Sequence, residues 1–305
     1  MEKLDPNLIV DFYRRVESVH RKPLEFVLDD FALSNENHGI GDTVVITAIS
    51  RAGFQNGKFI PIQSISPHFK ALTTFNPYYR EAERPFVALA TRLQFNYDLG
   101  NGHFIQRLER AFGITPELKP RGCLVVETRT VPGRTVLHFK PSDWARRQRA
   151  FHPRAREIYP ETLAIIQEFI QQHPEMHFVE VGNESSSLAG VEDWTNLPLT
   201  ETITRMATAE YFMGPNSGPL HLAAALGLKT ISIINFPDPS QIWLPVLKNI
   251  NLVESFWLYP QSVILHQDCD GPAVKRISIR NLELAIEGDL YPYWSDEYLG
   301  LISEV

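Results

Sequence analysis

The sequence predicts an α/β fold made of two domains, each built on a parallel sheet. Short apolar segments alternate with helical segments along most of the chain, and this alternation is typical of parallel strands covered by helices. With 305 residues the chain is longer than one ordinary domain, and its hydrophobic fraction of 44% suffices for two buried cores. A turn-rich segment near the middle separates two series of elements.

The first series has helical and strand-like segments in alternation. In chain order they are a helix over 6–20, a strand over 25–28, a loop over 34–41, a helix over 42–52, a strand over 58–62, and helices over 66–73 and 102–112. Val45, Ile46 and Ile49 recur at helical spacing, which supports the helix over 42–52.

The second series begins beyond the turn-rich segments 118–122 and 131–133. Its predicted elements are strands over 135–139, 177–181, 211–213 and 230–234, and helices over 160–172, 200–208, 219–226 and 279–287. We therefore divide the chain into domains 1–118 and 119–284, with a C-terminal helix (285–305) that is free to pack back on the first domain. Ligands bind at the carboxyl ends of parallel strands, so we expect a cleft between the domains.

Composition excludes several classes of protein. The formal net charge of −7 argues against general affinity for nucleic acid or for an anionic membrane. The N-terminus lacks the pattern of a signal peptide, and no apolar run approaches the roughly 20 residues that span a bilayer. Two cysteines, Cys123 and Cys269, form neither a disulfide framework nor a zinc module. We expect a cytoplasmic protein without a transmembrane segment.

A glycine turn precedes the helix of the first domain. Gly39 and Gly41 let the backbone approach a ligand closely, and the start of the helix offers free amide hydrogens. The turn lacks the third glycine of a dinucleotide-binding fingerprint, because position 44 is Val44, and the later acidic residue is missing too. A nicotinamide cofactor, and with it an oxidoreductase, is therefore disfavoured.

Asp42 follows this turn and has two interpretations. A carboxylate at the mouth of a cleft can act as a general base that deprotonates an attacking hydroxyl. Asp is also among the preferred N-cap residues, so Asp42 can simply cap its helix. His38 lies nearby as a second candidate, or as a solvated loop histidine.

A second turn, over residues 212–227, joins an apolar strand to a small-residue helix. The candidate residues for binding a diphosphate at its helix start are Asn216, Ser217, Gly218, Pro219 and His221. Free amides and the helix dipole favour an anion there. Capping alone also explains Asn216 and Ser217. His221 either donates to a phosphate or sugar oxygen or is a packed polar residue.

Further candidates lie at other predicted strand ends. Six basic residues lie between Lys140 and Arg156, and we select Lys140 and Arg147 as phosphate-binding residues, the alternative being a solvated basic surface. Glu184 follows a strand and is a candidate for a ribose hydroxyl, or an exposed turn residue. The Asp-Cys-Asp segment 268–270, with His266 nearby, lies outside a strand-end context, so we predict no metal site.

Residues 216–225, Asn-Ser-Gly-Pro-Leu-His-Leu-Ala-Ala-Ala, resemble the Asp-Ser/Thr-Gly-x-x-His-x-Ala-x-Ala signature of glycosyltransferase family 9, the heptosyltransferases. Residues 39–42 lie where that family carries its Gly-Asp turn, and 101–107 with 112–113 are similar to the end of its first lobe. The resemblance extends over about residues 35–280. One position departs from it, since Asn216 replaces the acid that would contact the donor sugar.

The resemblance implies two facing Rossmann-like domains of the GT-B type with a cleft between them. It implies an inverting, metal-independent glycosyltransferase without a cofactor, which uses a nucleoside-diphosphate sugar, often ADP-heptose, and a glycan, lipid-linked or protein acceptor. Asp42 matches the family's general base, and the arginine-rich loop matches its phosphate-contacting segment. Two alternatives stay open, a nucleotide-sugar epimerase and a non-catalytic sugar-nucleotide-binding protein.

Overall fold

A computed structural model of the chain describes residues 31–35, 39–57, 60–64, 66–79, 86–89, 103–140, 156–234, 259, 261–268 and 275–290. The chain divides into two compact units, residues 1–125 and 126–305.

The first unit contains a three-stranded parallel sheet. Its elements are β1 (Phe31–Asn35), α1 (Ile40–Gln55), β2 (Ile62–Ser64), α2 (Phe69–Thr73), β3 (Phe86–Leu89) and α3 (Phe104–Ala111). Strand β1 is central, in the order β2-β1-β3, and its Leu33 pairs with Ile62 of β2 and Ala88 of β3. Four residues separate the end of β1 at Asn35 from the start of α1 at Ile40, so α1 is the next described element after the carboxyl end of the central strand.

Helix α1 is the core of this unit. Val45, Ile46 and Ile49 are fully buried, as the helical spacing predicted. Its polar residues are buried too and hold the segment that leads to the second unit. The hydroxyl of Thr47 accepts from the amide of Cys123 at 2.7 Å, and Arg51 binds the carboxylate of Glu117 at 2.6 Å. Residues 117–123 are thereby fastened to α1.

Several predicted elements of the first unit need correction. The predicted loop over 34–41 is wrong at both ends, because residues 34–35 end β1 and residues 40–41 begin α1. Strand β1 itself was not predicted. The predicted strand over 58–62 is observed at 62–64, and the helix over 66–73 is only the short α2. Strand β3 was missed because four apolar residues carry no distinguishing period. The elements predicted over 6–20 and 25–28 lie outside the described residues.

The second unit contains a seven-stranded sheet. Its strands are β4 (Arg134–Leu137), β5 (His177–Gly182), β6 (Val191–Thr195), β7 (Tyr211–Gly214), β8 (Lys229–Ile234), β9 (Val263–His266) and β10 (Lys275–Arg276). The order is β10-β9-β8-β7-β4-β5-β6, and every pair is parallel. The chain winds outward from β4 in one direction and from β7 in the other, which is the doubly wound order with its switch point between these strands.

Four helices are described in this unit, α4 (Pro160–Gln172), α5 (Leu199–Met206), α6 (Gly218–Leu226) and α7 (Ile279–Glu287). Phe169 of α4 and Leu282 of α7 are buried in one apolar core against Leu137 and Phe178 of the sheet. The bounds of α4 and α7 are as predicted, and α5 and α6 each differ by one or two residues. Of the predicted helix 285–305, the first residues end α7, and 291–305 lie outside the described residues.

Three strands of this sheet were missed. Strand β6 is an edge strand whose Glu192 and Asp193 are exposed, so its sequence lacks an apolar run. Strand β9 is short, and β10 has two residues. The predicted α/β class with parallel sheets is confirmed, and the cleft between domains stays a prediction.

Candidate functional site

The carboxyl ends of β4, β5 and β7 meet at the switch point of the large sheet. His138 follows β4, Gly182 ends β5 and Gly214 ends β7. A Cβ on Gly214 would lie 2.5 Å from the carbonyl oxygen of His138, and one on Gly182 would lie 2.9 Å from its Nδ1. Both glycines therefore allow a close approach of neighbouring strand ends, which any side chain would obstruct.

His138 joins two of these strand ends. Its side chain is 5% exposed, and its Nδ1 lies 2.9 Å from the carbonyl oxygen of Val181 on β5. A carbonyl only accepts, so Nδ1 is the protonated nitrogen. Burial lowers the pKa of the imidazole, while the bond to Val181 acts in the opposite sense. His138 is thus a neutral imidazole that links the ends of β4 and β5 by a hydrogen bond.

Helix α6 starts directly after β7 with Ser217 as its N-cap residue. The residue predicted to cap is therefore in the capping position, yet its side chain makes no cap hydrogen bond. Ser217 is only 9% exposed, and its buried Oγ has no hydrogen-bond partner within the described parts of the chain. Gly218 and Pro219 form the first turn, and Asn216 before them is buried. An unused hydroxyl thus lies beside the free amides of a helix start.

His221 lies in the same first turn, 4% exposed. Its Nδ1 is 2.8 Å from the hydroxyl of Tyr259, and the rings pack edge to face with centroids 5.5 Å apart. Burial, with a smaller effect of the Arg156 charge, lowers the pKa of His221 to about 3. The imidazole is therefore neutral near pH 7. The bond to Tyr259 accounts for Nδ1, and contact with a phosphate stays a prediction.

The described basic residue that acts electrostatically on this turn is Arg156, which the sequence analysis placed in the arginine run but did not select. Its loop is fixed by Gln267, whose Oε1 accepts from the amide of Tyr159 and whose Nε2 donates to the carbonyl of Glu157, both at 2.8 Å. Lys140 is exposed, and Arg147 lies outside the described residues. Gln267 directly follows β9, so the strand-end rule that selected Glu184 would have found it.

Two carboxylates lie near the end of β5. Glu184 is exposed, two residues beyond the strand, and both of its interpretations stay open. Glu180 lies within the strand and is fully buried. Glu180 was not among the predicted site residues, although a charged residue between Val179 and Val181 in a core strand indicates a special role.

In the first unit, Asp42 is the third residue of α1, and Gly39 rather than Asp42 is the N-cap residue. Asp42 Oδ2 lies 2.5 Å from the point where a Cβ on Gly39 would be, so the carboxylate folds back over the glycine. The hydroxyl of Thr43 donates to the carbonyl of Gly39 at 2.9 Å. Gly41 lies in the first turn, and His38 is outside the described residues. Asp42 is partly exposed, as a general base must be.

The described part of the chain has neither a cluster of metal ligands nor a helix that could span a membrane. It contains no group of three or more His, Cys, Asp or Glu side chains arranged to hold a metal ion. Asp268 is exposed, and its neighbours Cys269 and Asp270 lie outside the described residues. Within the same described ranges, every helix is too short or too polar to cross a bilayer.

Comparison with known proteins supports the resemblance found in the sequence. Residues 182–265 match the family described as glycosyltransferase family 9 (heptosyltransferase), so the resemblance is confirmed over this segment. The segment contains the β7–α6 turn and most of the large sheet. A comparison with curated proteins finds no match.

Solved structures with the same fold include two enzymes of this kind. A family 9 glycosyl transferase from Veillonella parvula is 11% identical with a TM-score of 0.54, and 87% of this chain covers 98% of it. Escherichia coli heptosyltransferase WaaC, solved with ADP-2-deoxy-2-fluoro heptose, is 12% identical with a TM-score of 0.52, and 85% of this chain covers 99% of it.

A third similar structure is the iron-containing dodecameric glycosyltransferase TibC from enterotoxigenic E. coli, 15% identical with a TM-score of 0.48. There 67% of this chain is covered, and the chain spans 57% of the length of TibC.

Proposed function

We propose that this protein is a glycosyltransferase that binds a nucleoside-diphosphate sugar at the amino end of α6 and transfers the sugar to an acceptor hydroxyl. The observation that carries the proposal is the buried Ser217 hydroxyl, which has no hydrogen-bond partner in the described ranges, beside the start of a helix at the switch point. A buried polar group without a partner costs free energy, and a bound diphosphate would satisfy it.

The charge of the site suits a diphosphate. The helix dipole and the free amides of the first turn attract an anion, and Arg156 adds a full positive charge near His221. Lys140 and Arg147 are proposed as further contacts from the same loop, and Glu184 as the partner of a ribose hydroxyl. ADP-heptose is the first donor to test, because WaaC was solved with a fluorinated analogue of it.

The proposed reaction is a single displacement. Asp42 takes the proton of the acceptor hydroxyl, and the acceptor oxygen forms a bond to the anomeric carbon while the bond to the diphosphate breaks. The leaving diphosphate keeps the electron pair, and the amides of α6 with Arg156 stabilise its growing charge without a metal ion or cofactor. In this scheme the first unit receives the acceptor, which is a glycan, a lipid-linked glycan or a protein, and the second holds the donor. We propose a cytoplasmic location.

Asn216 favours a second candidate, a non-catalytic sugar-nucleotide-binding protein. The family signature has an acid at this position, and an amide offers two donors and one acceptor in its place. A protein of this kind would bind donors without turnover for any acceptor. A nucleotide-sugar epimerase would instead convert the donor alone, so product analysis without acceptor separates it from a transferase.

The test compares one substitution at two helix N-caps of the same unit. Ser217→Ala removes the unpartnered hydroxyl, and we expect about fivefold weaker binding of ADP and of pyrophosphate by calorimetry, with little change in stability. Ser278→Ala is the matched control, since Ser278 caps α7 by accepting from the amide of Asn281. It should cost about 1 kcal/mol of stability and leave ADP binding unchanged. Wild-type protein that binds neither ligand would contradict the proposal.

A further inference from the structure

Strand β5 carries a carboxylate in its core at Glu180. The side chain is 0% exposed, and its neighbours Val179 and Val181 are fully buried apolar residues. Burial of a carboxylate is costly unless hydrogen bonds compensate it. An apolar residue would fill this position at lower cost, so the carboxylate needs an explanation beyond packing.

Among the described residues, the hydrogen bonds of the Glu180 side chain go to the loop that follows the strand. Its Oε2 accepts from the hydroxyl of Ser185 at 3.0 Å, and from the amide and the hydroxyl of Ser186 at 2.7 and 2.9 Å. Its Oε1 has no hydrogen-bond partner among the residues that the structure describes. The Ser185 hydroxyl in turn accepts from the amide of Ser187, which has a φ of +61°. One carboxylate oxygen thus binds Ser185 and Ser186 directly, and it fixes Ser187 through the Ser185 hydroxyl.

The start of the loop is held from two other directions. The carbonyl of Gly182 accepts from the amide of Asn196 at 2.8 Å, and the carbonyl of Val181 accepts from His138. Glu184 lies between Gly182 and the serines, so its backbone is fixed on both sides. On the N-terminal side of Glu184 the backbone is held at Gly182, and on the C-terminal side the Glu180 carboxylate holds Ser185 and Ser186.

We infer that Glu180 is a positioning residue of the donor site, which holds Glu184 in place for the ribose hydroxyls of the nucleotide. The inference rests on the proposed function. It assigns Glu180 an effect on the nucleoside part of the ligand and none on the diphosphate, which α6 holds.

This separation defines the experiment, with calorimetry on the full chain. Glu180→Met removes the acceptor and keeps an unbranched side chain suited to apolar surroundings. We expect about tenfold weaker ADP binding and unchanged binding of pyrophosphate and of 2′,3′-dideoxy-ADP. Glu180→Gln restores an acceptor oxygen and should recover most of the ADP affinity. Glu192→Gln, on the exposed edge strand, is the matched control and should leave the binding of ADP, pyrophosphate and 2′,3′-dideoxy-ADP unchanged.

Several results would contradict the positioning role of Glu180. An equal loss for ADP and pyrophosphate, or unchanged ADP affinity in Glu180→Met, overturns the positioning role while the proposed function stands. Wild-type protein that binds neither ADP nor pyrophosphate overturns both. If Glu180→Met fails to fold, Ser186→Ala removes one of the three donors and should weaken ADP binding two- to threefold, with pyrophosphate again unaffected; unchanged ADP binding there also overturns the role.

Discussion

Each unit presents a helix start directly after a strand, but the two starts carry opposite chemistry. At α1, Asp42 folds back over the N-cap glycine, and the Thr43 hydroxyl is bonded to the Gly39 carbonyl. At α6, the N-cap Ser217 keeps a buried hydroxyl that no described residue engages. One start thus presents a carboxylate, and the other presents backbone amide and hydroxyl donors. In the displacement proposed above, the carboxylate at α1 would remove the proton and the donors at α6 would bind the leaving diphosphate.

The helices also differ in what lies around them. Helix α6 packs on the sheet with Ala223, Ala224 and Ala225, all buried. Helix α1 buries the polar side chains of Thr47, Ser50 and Arg51, and Arg51 forms an ion pair with Glu117. Consequently the first unit should respond to pH through buried charges, whereas the site at α6 contains a histidine that is neutral near pH 7.

The largest expected effect is that of Asp42→Asn. If Asp42 is the base, turnover of any donor and acceptor pair used by the wild type should fall by about 10²- to 10⁴-fold. ADP affinity should stay unchanged, because in the proposed scheme the diphosphate binds at α6 and not at Asp42. Steady-state kinetics with calorimetry in parallel test this, and Ser217→Ala serves as the converse control. Unchanged turnover in Asp42→Asn would show that the base is another group.

The second effect concerns Glu109 of α3, which is fully buried. Burial raises its pKa from 4.5 to about 7, with smaller effects of Glu117, Arg51 and Arg110. The folded state therefore holds this proton more tightly than the unfolded state does. The contribution of Glu109 to the free energy of unfolding is fully present below pH 4.5. It is lost as the pH rises through about 7, which lowers the free energy of unfolding by about 3 kcal/mol.

Glu109→Gln should remove this pH dependence. The amide oxygen can still accept from the Glu117 amide, as Oε2 of Glu109 does at 3.0 Å. Urea unfolding at about pH 5 and about pH 8 should show a smaller loss of stability in the variant than in the wild type. Equal losses would mean that Glu109 is ionised in the folded protein at both values.

A third effect, about 2 kcal/mol of destabilisation, is expected for Gly214→Ala. The new Cβ would meet the backbone carbonyl of His138 at 2.5 Å, so the ends of β4 and β7 must separate. ADP affinity should fall with stability. The control is Ser232→Ala, because Ser232 on β8 pairs with Gly214 in the sheet. It removes a buried hydroxyl that has no partner in the described ranges, so it should be neutral or slightly stabilising. Wild-type stability and wild-type ADP affinity in Gly214→Ala would show that neither depends on the close approach of Gly214 to the His138 carbonyl.

The smallest effect is that of Tyr259→Phe, about 1 kcal/mol of stability, since it leaves His221 Nδ1 without its hydroxyl partner. This variant also separates the two interpretations of His221. A packed polar residue predicts unchanged ADP affinity, whereas a phosphate donor held by Tyr259 predicts weaker binding. Because the pKa of His221 is about 3, its imidazole should add no pH dependence to ADP binding from about pH 6 to about pH 8.

The sequence predicted elements best where the pattern was long or strongly punctuated. Helix α4, with Pro160 at its start, and α6, with Gly227 at its end, were found nearly residue for residue. Strands β1, β3, β6, β9 and β10 were missed because short or edge strands show little periodicity. For the site, motifs identified the turns before α1 and α6. Arg156 acts on His221 from a distant part of the chain, which no local pattern encodes. Gln267 directly after a strand, and the charged Glu180 within an apolar strand, were signals that the sequence did contain.

The order of the strands bears on how the chain folds during synthesis. Every described strand of the seven-stranded sheet comes from residues after 126, so neither sheet waits for a strand from the other unit. The first unit is free to fold while the rest is still being made. The second must wait longer, because Leu282 and Ala285 of α7 complete its core. Premature termination before α7 should therefore leave an exposed apolar face on a nearly finished sheet, a species prone to aggregation.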